Sequence, residues 1–310
     1  MRPAWSVLLL TTLIGCAQGL AVALALAVLG LFGGPVAALA AGRAGLAVVL
    51  ALGAVALIAS FLHLGRPERA WRAAAMWRTS WLSREVIALP AFLGITAFTL
   101  VWMGLMHAWP SWLALTLLLA CGALWLCTAM IYACVRFIRE WATPLTLLNF
   151  VLMGLASGFI LAAALFASLG LAVGEIASWA LGLTFLAFVG RMAALLRTAR
   201  LVLAGSVQSA IGVRSNHIVQ ISRGFTAGSF NLREFFHGQG DTVLRSVQGG
   251  FVLMGFLVPL GLIGAGIGAN EPLAWFVVAW LTQMTGLIAE RWHFFAQVSH
   301  SQNRYYAAAH

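Results

Sequence analysis

The sequence predicts an all-α integral membrane protein, a bundle of eight transmembrane helices with both termini on one side. Two observations predict this class. Of the 310 residues, 62% are hydrophobic and only 8% are charged, with a mean hydropathy of +0.97, whereas soluble domains carry about 25% charged residues. The apolar residues also form long runs, and a run of about 20 such residues crosses a bilayer as a helix that satisfies its own backbone.

Eight runs are long enough to span. They are residues 5–32, 40–63, 85–108, 112–137, 144–169, 175–198, 246–268 and 272–294. The start, "MRPAWSVLLLTTLIGC", imitates an export signal, but the apolar run continues past Cys16, so we expect an uncleaved first helix. No shift in composition marks a second domain. Residues 1–310 are therefore predicted to form one transmembrane domain, with polar connections at 64–84 and 199–245.

The charge is carried by arginine. The net charge is +10, all eighteen basic residues are arginines, and seventeen of them fall on the face that carries the termini. Arg43 falls on the other face. The positive-inside rule then predicts a bacterial inner membrane protein whose termini-bearing face is cytoplasmic. Because the arginines are confined to the ends of apolar runs, we expect no nucleic-acid partner.

Residues 60–89, "SFLHLGRPERAWRAAAMWRTSWLSREVIAL", hold five of the arginines between two spans. The second span ends at "LGRP", because Pro67 cannot continue the hydrogen-bond ladder. The next residues, "ERAWRAAAMW", repeat apolar and basic side chains at helical spacing. Trp71 and Trp77 are typical of a short helix that lies in the headgroup region. This crossing concentrates the polar chemistry of an otherwise apolar chain.

His63 and Glu85 are predicted to lie at similar depth on adjacent helices. Ser83 is the predicted N-cap of the third helix, and Glu85 would then lie at the positive end of the helix dipole. Taken singly, each has a plain structural interpretation, a snorkelling histidine and a favourable helix start. Together they form a titratable pair near the membrane surface, which suits proton-coupled chemistry on a lipid-soluble quinone.

The motifs "HLGRPERA" and "SWLSREV" resemble the signature of the membrane-anchor subunit of the dimethyl sulfoxide reductase family (DmsC). Residues 130–158, 228–238 and 290–306 agree with that resemblance, which covers the whole chain. It implies an anchor for a molybdopterin catalytic subunit and a four-cluster iron–sulfur subunit. Such an anchor exchanges electrons between the clusters and the quinone pool, ubiquinone or menaquinone, and has no haem of its own.

The resemblance also implies site residues. The family's quinol-site histidine falls on His63 and its glutamate falls on Glu85, while Arg66 departs from the small residue often found between Gly and Pro. We therefore predict His63 and Glu85 as the catalytic pair. The predicted quinone site as a whole comprises His63, Arg66, Arg69, Trp71, Trp81 and Glu85.

The connection 199–245 is too long for a simple turn. A solvated loop is the plain interpretation, but the resemblance favours a docking platform, because the phenylalanines of this connection would otherwise be exposed without reason. The predicted docking residues are Arg136, Arg139, Arg223, Arg233, Phe235 and Phe236, with Tyr132, Glu140 and Trp141 completing the interface. Glu290, Arg291 and His293 end the last span similarly, and a salt-bridged helix end is an equal alternative for them.

Metal sites are not expected in this chain. The four cysteines, Cys16, Cys121, Cys127 and Cys134, lie in apolar helices without a C-x-x-C pair, and we interpret them as buried small hydrophobic residues. Bis-histidine ligation of haem needs two histidines that face each other inside the bundle. Of the other histidines, His293 alone could share a side with His63, so no haem is expected.

The arginine bias also bears on the reaction. Relatives that serve exported dimethyl sulfoxide reductase dock their partners in the periplasm, whereas the resembling quinone-linked sulfite dehydrogenases dock them in the cytoplasm. We therefore predict quinone reduction during sulfite oxidation. The alternative is a quinol-oxidising anchor of a dimethyl sulfoxide reductase-type terminal reductase. A transporter, disfavoured by the scarcity of ionisable residues at mid-bilayer, and a purely structural anchor are alternatives of another class.

Overall fold

The computed structural model describes residues 3–32, 34–61, 66–201, 207–215, 217–218 and 239–298, and within these ranges the chain is helical without strands. A 3-10 helix, Pro67–Met76, precedes the third α-helix. One helix contains a π-helical segment, Leu253–Leu257. The helices are α1 Trp5–Val28, α2 Gly34–Phe61, α3 Trp81–Met106, α4 Ser111–Ala133, α5 Pro144–Ser168, α6 Gly174–Ala199, α7 Val207–Ile211, α8 Asp241–Ile267 and α9 Pro272–Ala296.

Every one of these helices except the short α7 is long and apolar enough to cross a membrane, which confirms the eight predicted spans. The start of α3 differs from the prediction. Ser80, not Ser83, is the N-cap, and its side chain accepts a hydrogen bond from the backbone N–H of Ser83 at 3.4 Å. The predicted cap was wrong by one turn, because two serines at this spacing both precede an apolar run.

The end of α4 also differs. The helix ends at Ala133 rather than at residue 137, and Cys134 follows it as the C-cap. The following residues turn back toward Thr143, whose hydroxyl oxygen accepts a hydrogen bond from the backbone N–H of Leu145 and so caps α5. The short connection places Ile138 and Trp141 in the interior.

Helices α1 and α5 lie at the centre of the bundle. Their crossing is built on glycine, because a Cβ atom on Gly158 would overlap the backbone of Gly19 and Leu20, and one on Gly154 would lie 2.8 Å from the carbonyl oxygen of Gly15. Small residues at a helix crossing let two backbones approach closely, which is the main source of packing energy where lipid removes the hydrophobic driving force.

An aromatic cluster closes one end of the bundle. It gathers Leu8 at the start of α1, Tyr132 at the end of α4, Phe150 at the start of α5 and Phe294 at the end of α9. The exposed side chains of Arg136 and the 3-10 helix adjoin this end, which we call the arginine-bearing end. At the opposite end, Arg43 donates a hydrogen bond of 2.8 Å to the carbonyl oxygen of Met103 at the end of α3.

Candidate functional site

The structure describes only part of the predicted site. His63 lies outside the described residues, as do the predicted docking residues Arg223, Arg233, Phe235 and Phe236. Their roles stay predictions. Glu85, Arg66, Arg69, Trp71 and Trp81 are described, and so are Arg136 and Arg139.

Glu85 is the fifth residue of α3 and is half-buried. Its carboxylate oxygen Oε1 accepts a hydrogen bond from the hydroxyl of Thr128 on α4, with an Oγ1–Oε1 distance of 2.5 Å. Thr128 is itself buried, with 3% of its surface exposed. The structure therefore holds a carboxylate within a spanning helix, near the arginine-bearing end, by a hydroxyl from the neighbouring span.

Arg84 fastens the surface segment to the start of α3. Its Nε donates to the carbonyl oxygen of Trp77 at 2.9 Å, and its Nη2 donates to that of Arg78 at 2.9 Å. Its guanidinium lies 4.1 Å from the centre of the Trp81 ring. Arg84 is thus engaged with backbone carbonyls and an aromatic face, and it forms no ion pair with Glu85. This residue was not predicted from the sequence.

The other predicted quinone-site residues lie on the surface segment. Trp71 is 73% exposed, and Arg66 is exposed as well. Arg69 pairs with its exposed neighbour Glu68 at 3.9 Å. Among the described residues, none of these three donates a hydrogen bond to Glu85. The structure therefore brings Trp81 close to Glu85 along α3 and leaves the 3-10 helix as an exposed cationic and aromatic surface.

Tyr132 lies one helical turn after Thr128 and belongs to the aromatic cluster. Its ring stacks on Phe150 with the centroids 5.7 Å apart, and it meets Trp141 edge to face at 5.3 Å. Trp141 is 5% exposed, and its indole N–H donates to the carbonyl oxygen of Phe294 at 3.1 Å. Trp141 is thus a core residue rather than the interface residue that the sequence predicted.

A second polar group is buried deeper, between α6 and α9. Glu290 forms salt bridges with two arginines at once, with Arg191 Nε 2.8 Å from its Oε1 and Arg291 Nε 2.8 Å from its Oε2. All three residues are buried: Arg191 is 3% exposed, Glu290 is 1% exposed and Arg291 is 5% exposed. The sequence predicted a salt-bridged end for α9 as an alternative but missed Arg191. The signal was the position of Arg191 inside an apolar run, where a cation needs a partner. The expectation that the arginines are confined to the ends of apolar runs was therefore wrong for Arg191, which is buried within α6.

Aromatic rings surround this ionic cluster of Arg191, Glu290 and Arg291. Arg291 lies 4.0 Å from the centre of the Phe150 ring, and Arg191 lies 5.4 Å from that of Phe251. The buried His293 stands with Nδ1 3.4 Å from Arg191 Nη2. The cluster therefore ties α5, α6, α8 and α9 together near the arginine-bearing end.

Within the described ranges, no group of three or more His, Cys, Asp or Glu side chains is placed to hold a metal ion. Three of the cysteines are buried as expected, but Cys134 is exposed. That expectation was wrong for Cys134 because α4 ends just before it. Two surface grooves, both lined by Leu31, Gly174 and Glu175, lie at the opposite end of the bundle from Glu85.

Eight spanning helices, with a hydroxyl-held carboxylate under an arginine- and tryptophan-rich surface segment, define a multi-pass membrane protein with its polar chemistry at one end. The chain belongs to the DMSO reductase anchor subunit (DmsC) family, whose model matches residues 1–226. It is 46% identical to a sulfite dehydrogenase subunit of Allochromatium vinosum, across 99% of each chain. The family resemblance of the signature motifs is thereby confirmed.

Proposed function

We propose that this chain is the quinone-reactive membrane subunit of a sulfite-oxidising complex. A docked iron–sulfur subunit passes electrons from a molybdopterin catalytic subunit directly to quinone, which binds to this chain near His63 and Glu85. The observation that carries this proposal is the Glu85 carboxylate, held by Thr128 inside a span beside the arginine-rich segment. The 46% identity to a sulfite dehydrogenase subunit supports the choice of sulfite.

The electron and proton balance fits this arrangement. Oxidation of sulfite with one water gives sulfate, two electrons and two protons, and that step belongs to the catalytic subunit. Quinone takes up two electrons and two protons to become quinol. In the proposed site, His63 hydrogen-bonds a ring carbonyl and passes a proton to it, while Glu85 relays protons from water at the arginine-bearing end.

The docking surface is proposed at the same end of the bundle. Arg136 and Arg139, in the connection after α4, are both exposed there. The predicted residues Arg223, Arg233, Phe235 and Phe236 would complete this surface. Docking at this end would bring the partner's nearest iron–sulfur cluster close to the quinone, and the arginine bias supports a cytoplasmic location for this end.

The direct test is sulfite oxidation by the purified complex with two acceptors, a short-chain quinone and an artificial dye that accepts electrons from the soluble subunits. His63→Ala should lower quinone-linked turnover by about 1000-fold or more, since it removes a proton-transfer group. Dye-linked activity should stay intact. Full quinone-linked activity in this variant would remove His63 from the site, and absence of any sulfite activity in the wild-type complex would overturn the substrate.

A further inference from the structure

Thr128 differs from other threonines of the spanning helices in the group to which its hydroxyl donates. Threonine in a helix ordinarily donates to the carbonyl oxygen four residues earlier. Seven threonines of the spans do so, at 2.7–2.9 Å, namely Thr11, Thr12, Thr96, Thr99, Thr116, Thr184 and Thr285. The Thr128 hydroxyl instead donates to Glu85 on α3, across the interface between two helices.

The surroundings of Glu85 show why the hydrogen bond from Thr128 matters to its carboxylate. A carboxylate away from water needs hydrogen-bond donors, because an unsatisfied charge in a low-dielectric site is costly. The adjacent Arg84 donates elsewhere, to the carbonyl oxygens of Trp77 and Arg78. Cys127 and Tyr132 of α4 are titratable groups within electrostatic reach of Glu85. Neither of these is a cation.

A hydroxyl is also suited to a group that changes its protonation state. It donates to a carboxylate, and by rotating about its C–O bond it accepts from a carboxylic acid. A guanidinium can only donate, and it would hold the group in its charged form. Thr128 therefore keeps Glu85 in one place through both halves of a proton transfer.

We propose that Thr128 is a positioning residue for Glu85, which fixes the carboxylate and supports its charged form during quinone turnover. This inference rests on the proposed function, since it assigns Thr128 a role through the proton relay of Glu85. In the proposed site Thr128 contacts neither the quinone nor an iron–sulfur cluster, and it acts through its one hydrogen bond to Glu85.

The test replaces Thr128 by Val, which keeps the shape and removes the hydroxyl, and by Ser, which keeps the hydroxyl. In the intact complex, Thr128→Val should slow quinone-linked turnover by about tenfold, the effect of one hydrogen bond to a charged group. The acidic limb of the pH–rate profile should move to higher pH by about one unit, since the charged carboxylate loses its donor. Thr128→Ser should behave close to the wild type.

Two controls separate positioning from packing. Thr116→Val, on the same helix, removes a hydroxyl bonded to its own backbone and should change neither turnover nor the pH profile. Dye-linked activity of every variant, measured on membranes, reports whether the complex is assembled. If Thr128→Val fails to assemble, the smaller Thr128→Ala serves in its place, and the comparison with Thr128→Ser is unchanged.

Glu85→Gln and the double variant distinguish the two proposals. If Thr128 acts through Glu85, the double variant Glu85→Gln, Thr128→Val should be no slower than Glu85→Gln alone. A slow Glu85→Gln beside an unaffected Thr128→Val would overturn the positioning role and leave the quinone site standing. Unaltered turnover in Glu85→Gln itself would overturn the quinone site at Glu85.

Discussion

Two carboxylates inside the spans differ in what holds them. Glu290 lies between the guanidiniums of Arg191 and Arg291 and forms a salt bridge with each. Glu85 is held by a neutral hydroxyl, which accommodates both a carboxylate and a carboxylic acid. The first arrangement suits the holding of helices together. The second suits the exchange of protons, which is why the proposed relay is assigned to Glu85.

Glu85→Gln tests that assignment without changing the size of the side chain. Glutamine can still accept a hydrogen bond from Thr128, but it cannot take up or release a proton. Quinone-linked turnover should fall by about 100-fold, the low end for the loss of a proton-transfer group, and by less than in His63→Ala. Its pH optimum should shift as well. An unchanged rate and pH profile would reduce Glu85 to a helix-start residue.

Sequence reasoning singled out Glu85 because a charged residue at the edge of an apolar run is conspicuous, and because its motif resembles a family signature. It did not find Thr128. That threonine stands in "LWLCTAMIYA", where nothing distinguishes it from threonines that bond their own helix. Which carbonyl or carboxylate a hydroxyl meets depends on the packing of α3 against α4, and no local pattern encodes that packing.

At the scale of helices, the crossing of α1 and α5 depends on glycine at the contact. A methyl group on Gly158 would meet backbone atoms of Gly19, which cannot move aside as a flexible side chain can. On α6, by contrast, a Cβ on Gly182 would meet nothing within 4 Å. The two positions form a matched pair, a packed glycine and an open one.

Gly158→Ala should lower the apparent melting temperature of the protein in detergent, because α1 and α5 must separate and lose close backbone contact. The free energy of unfolding should fall by about 1–3 kcal/mol or more, as for overpacking of a dense core. Gly182→Ala should be neutral or slightly stabilising, since alanine favours a helix over glycine. Thermal unfolding is measured by tryptophan fluorescence. Equal melting temperatures for the two variants would contradict this account of the crossing.

The ionic cluster makes a separate prediction for α6 and α9. Glu290→Gln leaves Arg191 and Arg291 buried without their shared counter-charge, and removing one partner of a buried pair costs about 3–5 kcal/mol. The melting temperature should fall well below that of Glu271→Gln, which removes an exposed carboxylate at the other end of α9. Equal melting temperatures for Glu290→Gln and Glu271→Gln would show that the ionic cluster contributes nothing to the stability of the fold.

The ends of helices were less predictable than their middles. Apolar length defines a span, but the residue that ends it is decided by which cap is used, as Ser80 shows for α3 and the turn after Ala133 shows for α4. The sequence also predicted the short helix before α3 from its spacing of tryptophan and arginine. Its 3-10 geometry from Pro67 to Met76 was not apparent from that spacing.

For the whole molecule, the distribution of arginine predicts orientation. Arg43 meets the end of α3 at one end of the bundle, while the arginines of the surface segment and of the α4–α5 connection lie at the other. Apolar runs and arginine counts were sufficient to predict the number of spans. They could not predict that α1 and α5 are central, because all spans are similarly apolar and the glycines that choose the neighbours are far apart in sequence.

Gly240→Cys tests the orientation, since residue 240 is exposed just before α8. The variant should be made with Cys134→Ser, because Cys134 is exposed near the same end and would itself react. An impermeant thiol reagent should fail to label intact cells and should label them once they are opened. Labelling from outside would put the arginine-bearing end in the periplasm and would remove the argument for sulfite that rests on orientation.

The central place of α1 has a consequence for biogenesis. Its buried Gln18 donates to the carbonyl oxygen of Cys121, 103 residues later, and the indole N–H of Trp280 donates to Cys16 Sγ across 264 residues. At about 5–20 residues per second, the ribosome needs on the order of 10–50 s to supply that tryptophan after α1 has been made. The helix synthesised first is therefore enclosed last. Until α4 and α5 have been made, its glutamine and its glycines lack their partners and are exposed to lipid or to the insertion machinery. The interior around α1 is completed only when α9 has followed.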